Sequence, residues 1–348
     1  MKAPKSDSGD HVHPEAPDIA SIVSARRGAG RQAVLQTMSR VRSGYLPTRR
    51  DVILAREFAE FLDDVLVQRE DGTRDDGRCF FVTGESGAGK SSSIRRLLAA
   101  EEALAPVVRQ GRTYVPWVSV KGPSPGTLQR LGLRICREIG YPAKVDTPEN
   151  RIWEILGEQL RMRGVLVVHI DEAQHLARSM QSEYERKNVA NTFKDVLENK
   201  AWPISFVLSG IPIATEIART DEQIERRGRF LSYPSLDLDV VADRRIVLDM
   251  IELLAVRQAE LDIGGIPEGD LPDRIAHAAN YEIGRVAQVI AGAIHKALLR
   301  GEGVLAGRDF VTAHRSVSHT RGLDHLNPFV AEDWRTLQAG SFLIQSGC

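Results

Sequence analysis

Residues 84–91 read GESGAGKS and fit the pattern G-x-x-x-x-G-K-[ST] without deviation. No other stretch limits the possible folds as tightly. Glycines at these positions let backbone amides turn inward and approach phosphate oxygens. A helix that begins at the lysine points the positive end of its dipole at the same anion. Gly84, Glu85, Ser86, Gly87, Ala88, Gly89, Lys90, Ser91 and Ser92 are therefore expected to cradle a nucleotide, ATP. Lys90 would neutralise the β- and γ-phosphates, and the Ser91 hydroxyl would hold Mg²⁺. The context agrees, because the motif follows the apolar run CFFVTG (79–84) and opens the helical pattern SSSIRRLLAAEEAL (91–104).

The same alternation continues downstream. TYVPWVSV (113–120), VLVVHID (165–171) and PISFVLSG (203–210) read as strands, with helical patterns between them. Each strand is an apolar run rather than an alternation, which predicts a parallel sheet covered by helices on both faces. After about residue 236 only helical patterns remain, over 241–257, 270–280 and 283–300. The fold class is thus α/β, a phosphate-loop nucleotide-binding domain followed by a small helical lid. The expected organisation is a disordered polar arm over 1–20, including His11 and His13, and basic N-terminal helices over 21–77, broken by GYLPT. The α/β domain follows over 78–235, the helical domain over 236–315, and a loosely ordered tail over 316–348.

VLVVHIDEAQHL (165–176) raises a sharper question. Taken alone it could be the acidic strand of an ATPase, a degenerate helicase box, or a metal site built from His169, Asp171, Glu172 and His175. The phosphate loop favours the first, with the acidic strand lying beside the strand that carries the loop. Asp171 would sit at the strand's carboxyl end, where open α/β sheets bind ligands, and would orient Mg²⁺ and its waters. Glu172 would act as general base on the attacking water. No HExxH or CxxC spacing supports a metal site, and the two histidines read as packing or surface residues. Three further features suit a triphosphate site. Ser209 ends the fourth strand and could sense the γ-phosphate. In the cluster Arg226-Arg227-Gly228-Arg229-Phe230, Arg227 and Arg229 are candidates for an arginine supplied to a neighbouring subunit's nucleotide. Arg285, after Gly284 at the start of the last long helix, could reach back over the nucleotide.

Composition excludes several classes. The chain has 348 residues, 42% hydrophobic and 27% charged, the range of a globular protein. No apolar run approaches the roughly 20 residues a membrane span needs, and the N-terminus lacks an apolar signal core. Cys79, Cys136 and Cys348 are odd in number and far apart, which suggests a reducing compartment, the cytoplasm, and no disulfide framework. The net charge of −1 is not that of a global nucleic-acid binder. Locally, however, residues 21–50 carry Arg26, Arg27, Arg31, Arg40, Arg42, Arg49 and Arg50 and no acid. That run is either a solvated helix face or a phosphate-contacting patch.

The order of phosphate loop, DEAQH strand, Ser-ended strand, arginine cluster and helical lid with Gly-Arg resembles the AAA+ ATPases. GESGAGKSSS (84–93), VLVVHIDEAQHL, NTFKDVLENK (191–200) and ISFVLSGIPIATEIARTDEQIERRGRF (204–230) look more narrowly like the TniB/TnsC group of ATP-dependent regulators of DNA transposition. RVRSGYLPTRRDVILAREFAEFLDDVL (40–66) is also similar to the helices that precede the loop there. The resemblance spans roughly residues 35–330. It implies ATP and Mg²⁺ as cofactors and a homo-oligomer, ring or filament, on double-stranded DNA. It also implies contacts with a transposase and target-selection proteins. Carried over by position, Lys90 and Ser91 hold phosphate and Mg²⁺, and Asp171 and Glu172 form the acidic strand. Ser209 is the first sensor, Arg227 or Arg229 the trans-acting arginine, and Arg285 the second sensor. RRGRF departs from the usual spacing by placing Gly228-Arg229 before Phe230. Lys121, just after the second strand, is a candidate DNA contact by position. Two other readings stay open: an AAA+ switch that does not act on DNA, secretion-associated or signalling, and a helicase, supported only by DEAQH.

Overall fold

A computed structural model of the chain describes residues 18–266, 269–318 and 322–341. The expected polar arm, with His11 and His13, lies outside the described residues up to position 17, as does Cys348. Asp18 already belongs to the first helix, which it caps by accepting from the Ser21 amide. Three helices precede the sheet: α1 (Ile19–Ala25), α2 (Ala29–Ser43) and α3 (Arg49–Leu66). The GYLPT break separates the last two. Thr48 and Asp51 cap α3 reciprocally, the Asp51 carboxylate accepting from the Thr48 amide at 2.7 Å. Such a cap stabilises a helix start by about 1 kcal/mol.

The nucleotide-binding region then runs β1 (Cys79–Gly84), α4 (Lys90–Ala100), a short hairpin of β2 (Val107–Arg109) and β3 (Arg112–Tyr114), β4 (Trp117–Lys121), α5 (Leu128–Glu138), α6 (Glu149–Arg163), β5 (Val167–Asp171), α7 (Gln174–Ser179), α8 (Glu183–Leu197), β6 (Ser205–Gly210), α9 (Glu222–Arg226) and β7 (Gly228–Tyr233). The helical region comprises α10 (Val241–Ile251), continued by a π-helical stretch over Glu252–Gln258, then α11 (Leu271–Ala278), α12 (Ile283–Arg300) and α13 (Gly307–Val317).

Five strands form one parallel sheet in the order β4-β5-β6-β1-β7. Every residue of β1, β5 and β6 is buried, as expected for central strands covered on both faces. One face packs against α5, α6 and α8 through residues such as Leu131, Ile152, Leu156 and Phe193. The other packs against α3 and α4, with Phe58 and Phe61 on Phe80 and Ile94 and Leu98 nearby. A separate core holds the helical region together, and α2 joins that core through Met38 and Val41. The second and third helices thus divide their allegiance, α3 to the sheet and α2 to the lid.

The structure corrects several expectations. The acidic strand β5 does not lie beside β1, because β6 runs between them. This insertion puts Ser209 between the phosphate loop and Asp171. The helix expected over 91–104 ends at Ala100, where Glu101 turns extended (ψ 110°). The strand expected over 113–120 is two elements. Pro116, which has no amide proton, separates β3 from β4, and its carbonyl accepts from the Leu166 and Val167 amides. RRGRF, read as a basic cluster with a candidate trans-acting arginine, runs from the end of α9 into the edge strand β7, where Arg229 turns to carboxylates on α3 and the half-exposed Phe230 stacks on Phe81 at 5.0 Å. In the tail expected to be loose after 316, the described residues 322–340 include packed ones. Asn327 and Trp334 are buried, and Trp334 meets His277 of α11 edge-on at 5.1 Å. Single aromatic anchors in a polar segment carry no periodicity, so the pattern could not show this packing. Among the described residues no helix is long and apolar enough to cross a membrane.

Candidate functional site

The carboxyl ends of β1, β5 and β6 converge on one end of the sheet, and the phosphate loop closes over it. Gly87 and Gly89 both take positive φ, 95° and 93°, which side chains rarely adopt. The turn they make presents α4 by its N-terminus. Gly284 of α12 sits directly on this turn. Its amide donates to the Gly87 carbonyl at 2.7 Å, and a Cβ at Gly284 would come 2.6 Å from that oxygen. The lid is therefore pinned to the loop by backbone contact.

Lys90 is 7% exposed and donates to the carbonyls of Gly84 (2.8 Å) and Glu85 (2.9 Å). Among the described residues no carboxylate lies within ion-pair distance of its ammonium. Burial holds its pKa below the ordinary lysine value, against the pull of Glu282, Asp171, Glu172 and Glu85. A buried cation with only neutral partners is costly unless an anion joins it. A phosphate group meets that need.

Asp171 is the hub on the opposite side. Its Oδ1 accepts from Ser91 Oγ at 2.9 Å and from Ser209 Oγ at 2.7 Å, and Arg95 reaches Oδ2 at 3.4 Å. Burial alone would raise its pKa, but the Ser209 and Ser91 hydroxyls outweigh it and hold the carboxyl below the usual range. Ser91 and Asp171 are therefore already joined, the arrangement in which a hydroxyl and a carboxylate can share the coordination shell of Mg²⁺. Glu172 follows with φ 58°, in the left-handed region, where a non-glycine residue stores of order 1–3 kcal/mol. This bend turns the chain sharply from β5 toward α7.

Three residues with roles that the sequence reading did not assign complete the arrangement. His169 is fully buried, 2.8 Å from Ser119 Oγ through Nδ1 and 2.9 Å from Ser209 Oγ through Nε2. The Asp171 carboxylate only accepts, so the Ser209 proton is committed to it. Ser209 must then accept from His169 Nε2–H, and His169 Nδ1 accepts from Ser119. Burial pushes His169 down to about 4, so the ring is neutral at physiological pH. With both nitrogens engaged it has no lone pair for a metal. Gln174 is the second residue. Its buried amide donates to Glu172 Oε2, and its Oε1 accepts from the Ile211 amide at 3.3 Å. It ties the carboxylate after β5 to the turn after β6. The third is Tyr45, from the GYLPT break, which meets Asp51 and Ser93 through its hydroxyl and carries Arg96 over its ring at 4.2 Å. No sequence signal marks His169 or Gln174, because their roles depend on which strands are neighbours.

A cavity of about 700 Å³ lies above these groups. Lys90, Ser91, Asp171 and Glu172 line one part of it, and Met38, Val41, Leu46, Met250, Leu254 and Ala291 supply an apolar part between α2 and the lid. The volume falls within the usual range for small-molecule and cofactor sites. A polar, cation-bearing end joined to an apolar end suits a nucleotide.

The remaining candidates lie elsewhere. Arg227 is paired with Asp76 (2.9 Å) and Glu198 (2.7 Å). Arg229 is held by Glu57 (3.1 Å), Glu60 (2.7 Å) and Asp64 (3.8 Å). Both are thus engaged within their own chain, whereas Arg226, the last residue of α9, is exposed. Arg285 lies on Gly87: a Cβ there would come 2.6 Å from Arg285 Cγ, and one at Gly340 would come 3.2 Å from an Arg285 guanidinium nitrogen. Lys121 ends β4 in register with Asp171, exposed, while Arg134 holds its carbonyl at 2.7 Å.

Residues 73–217 match the family model described as an AAA domain. A search of curated proteins finds no match. Among solved structures the chain is similar to the ORC2 protein of Aeropyrum pernix in its ADPNP–ADP complexes, at 18% identity over 78% of this chain and 69% of that one, TM-score 0.51. It is similar to the A. pernix ORC1 protein in complex with DNA, at 18% identity over 79% of this chain and 67% of that one, TM-score 0.53. It is also similar to Cdc6p from Pyrobaculum aerophilum, at 14% identity over 80% of this chain and 70% of that one, TM-score 0.55. At these identities the likeness is one of fold.

Proposed function

We propose that this chain, built on the AAA+ P-loop NTPase fold, is an ATPase whose nucleotide state governs its assembly on duplex DNA, and that it regulates DNA transposition in the manner of the TniB/TnsC group. The observation that carries the ATPase reading is the buried Lys90 ammonium, unpaired with any described carboxylate, facing the Ser91–Asp171–Ser209 cluster across the cavity. The DNA reading draws on the TniB/TnsC resemblance of the motifs and on a fold shared with a structure solved on DNA.

In this reading the loop amides and Lys90 hold the phosphates, and the apolar part of the cavity takes the base. Ser91 and Asp171 would hold Mg²⁺, which would supply neutralisation of the phosphate charge. Glu172 accepts a proton from the attacking water, with Gln174 fixing the carboxylate's direction. Ser209 orients Asp171 and is itself fixed by His169. Arg285 holds the turn at Gly87 and so relates lid angle to loop shape.

A trans-acting arginine must leave its own surface to reach a neighbour's nucleotide. Arg227 and Arg229 would each have to break two or more ion pairs first, so Arg226 is the better placed member of the cluster. Lys121 remains the candidate DNA contact, and the transposase and target-selection proteins remain the expected partners, in the cytoplasm. ATP at subunit interfaces would make assembly depend on the γ-phosphate.

The test is to image the protein with duplex DNA and a slowly hydrolysed ATP analogue, beside Lys90→Ala. Ordered assemblies on DNA that need both the analogue and Lys90 are expected. ATPase activity and assembly indifferent to duplex DNA would favour an AAA+ switch that does not act on DNA.

A further inference from the structure

Of the arginine run over 21–50, Arg42 and Arg50 line the nucleotide cavity and the others lie outside its lining, and the structure shows where they go. Arg50 turns inward beneath the Tyr233 ring, 6.0 Å from its centroid, and Arg40 meets Glu260 at 3.3 Å. Among the other five, Arg31 and Arg42 share α2. They lie eleven residues apart on α2, which returns to nearly the same side of a helix about 16 Å further along. Across from them, α12 presents His295 and Lys296. Burial, then the positive charges of Lys296, Arg31 and Arg42, hold His295 below its ordinary pKa, and no carboxylate is among the groups that act on it. Among the described residues none of Arg31, Arg42 and Lys296 has a carboxylate at ion-pair distance.

The turn into α2 extends the same surface. Gln32 donates to the carbonyls of Ala25 (2.9 Å) and Arg27 (2.8 Å), fixing the corner that carries the exposed Arg26 and Arg27. Gathering this many cations without a counter-charge costs self-repulsion, which a polyanion would relieve.

The cluster is not a second hold on the same triphosphate. His295 lies eleven residues, about 16 Å, along α12 from Gly284, which touches the phosphate loop. Nor does it suit a single phosphate, because its charges are spread along a helix. The distance from Arg31 to Arg42 corresponds to roughly four or five steps of one DNA strand at about 3.4 Å each.

We propose that the seam between α2 and α12, with Arg26, Arg27, Arg31, Arg42 and Lys296, binds the phosphodiester backbone of duplex DNA. The inference rests on the DNA reading above and adds to it a site distinct from Lys121. Arg42 and His295 also line the nucleotide cavity, so the seam borders the site whose occupancy it would accompany.

The test measures fluorescence anisotropy of a labelled 30-base-pair duplex against salt, with the full chain and a slowly hydrolysed ATP analogue. The variant carries Arg27→Gln, Arg31→Gln and Lys296→Gln, three positions outside the buried core; its melting temperature reports folding. Each phosphate contact contributes about 0.9 to the slope of log affinity against log salt. Losing three contacts lowers that slope by about 2 to 3, with at least a roughly tenfold loss of affinity. The counterpart Arg27→Lys, Arg31→Lys, Lys296→Arg is expected to keep both. If the wild-type chain binds the duplex and the glutamine variant keeps its affinity and slope, the seam is overturned and the DNA reading stands. If the wild-type chain binds no duplex in any nucleotide state, the DNA reading fails and takes the seam with it.

Discussion

Removing one hydroxyl, by Ser209→Ala, tests the central hub. Ser209 Oγ donates to Asp171 Oδ1 at 2.7 Å and accepts from His169 at 2.9 Å, with all three side chains buried. The substitution deletes a hydrogen bond to a charged acceptor, about 1.5–3 kcal/mol, and orphans the His169 Nε2–H, about 1–3 kcal/mol. The expected loss of unfolding free energy at pH 7 is therefore roughly 2.5–6 kcal/mol, read from urea denaturation of the nucleotide-free chain. The pH dependence adds a second signature. Asp171 has a folded pKa below its unfolded value, so its contribution is present above the unfolded pKa of about 3.9 and fades as pH falls through the folded one. Without the Ser209 donor that depression shrinks, so the gap between wild type and variant is widest at neutral pH and narrows below about pH 4. A variant as stable as the wild type at pH 7 would refute the hydrogen-bond directions assigned here. So would a gap that widens on acidification through that range.

Other expectations follow from the same geometry. Glu172→Gln is expected to bind ATP normally yet hydrolyse it about 10²–10⁴-fold more slowly; loss of binding of a fluorescent ATP analogue would remove Glu172 from the role of base. Gln174→Ala is expected to lower kcat with little change in KM, because the amide orients Glu172 rather than the nucleotide, and a change confined to KM would contradict that. His169 titrates near 4 folded against about 6.5 unfolded, so the unfolded state binds the extra proton in between. Its contribution to stability is intact above 6.5, and about 2 kcal/mol of it is lost by pH 5, a slope in urea titrations that should vanish in His169→Gln. Arg226→Ala is expected to cut ATPase activity in the assembled protein by roughly 10³-fold or more while leaving nucleotide binding intact; equal rates would return the role to Arg227 or Arg229.

The motifs were legible because their chemistry is local. Gly87, Gly89 and Lys90 are adjacent in the chain, and the turn they form needs no distant partner to be recognised. The apolar runs ending in Gly84, Asp171 and Gly210 likewise announced buried parallel strands, since only covering helices make such continuous runs favourable. β7 escaped notice because its one arginine, Arg229, faces carboxylates on α3, and those ion pairs are invisible in a linear pattern. The packed tail escaped for a similar reason, as Trp334 finds its place only once α11 exists.

By itself, the sequence determined that a phosphate loop, an acidic strand end and a helical lid would meet at the carboxyl end of a parallel sheet. Tertiary structure decided the order of the strands, and with it the placement of β6 between the loop and the acid. That order makes Ser209 a bridge, gives His169 two hydroxyl partners, and lets Gln174 span two loops. It also determined which arginines are spent on internal pairs and which remain free. Those outcomes depend on distances between residues far apart in the chain, and spacing along one chain does not encode them.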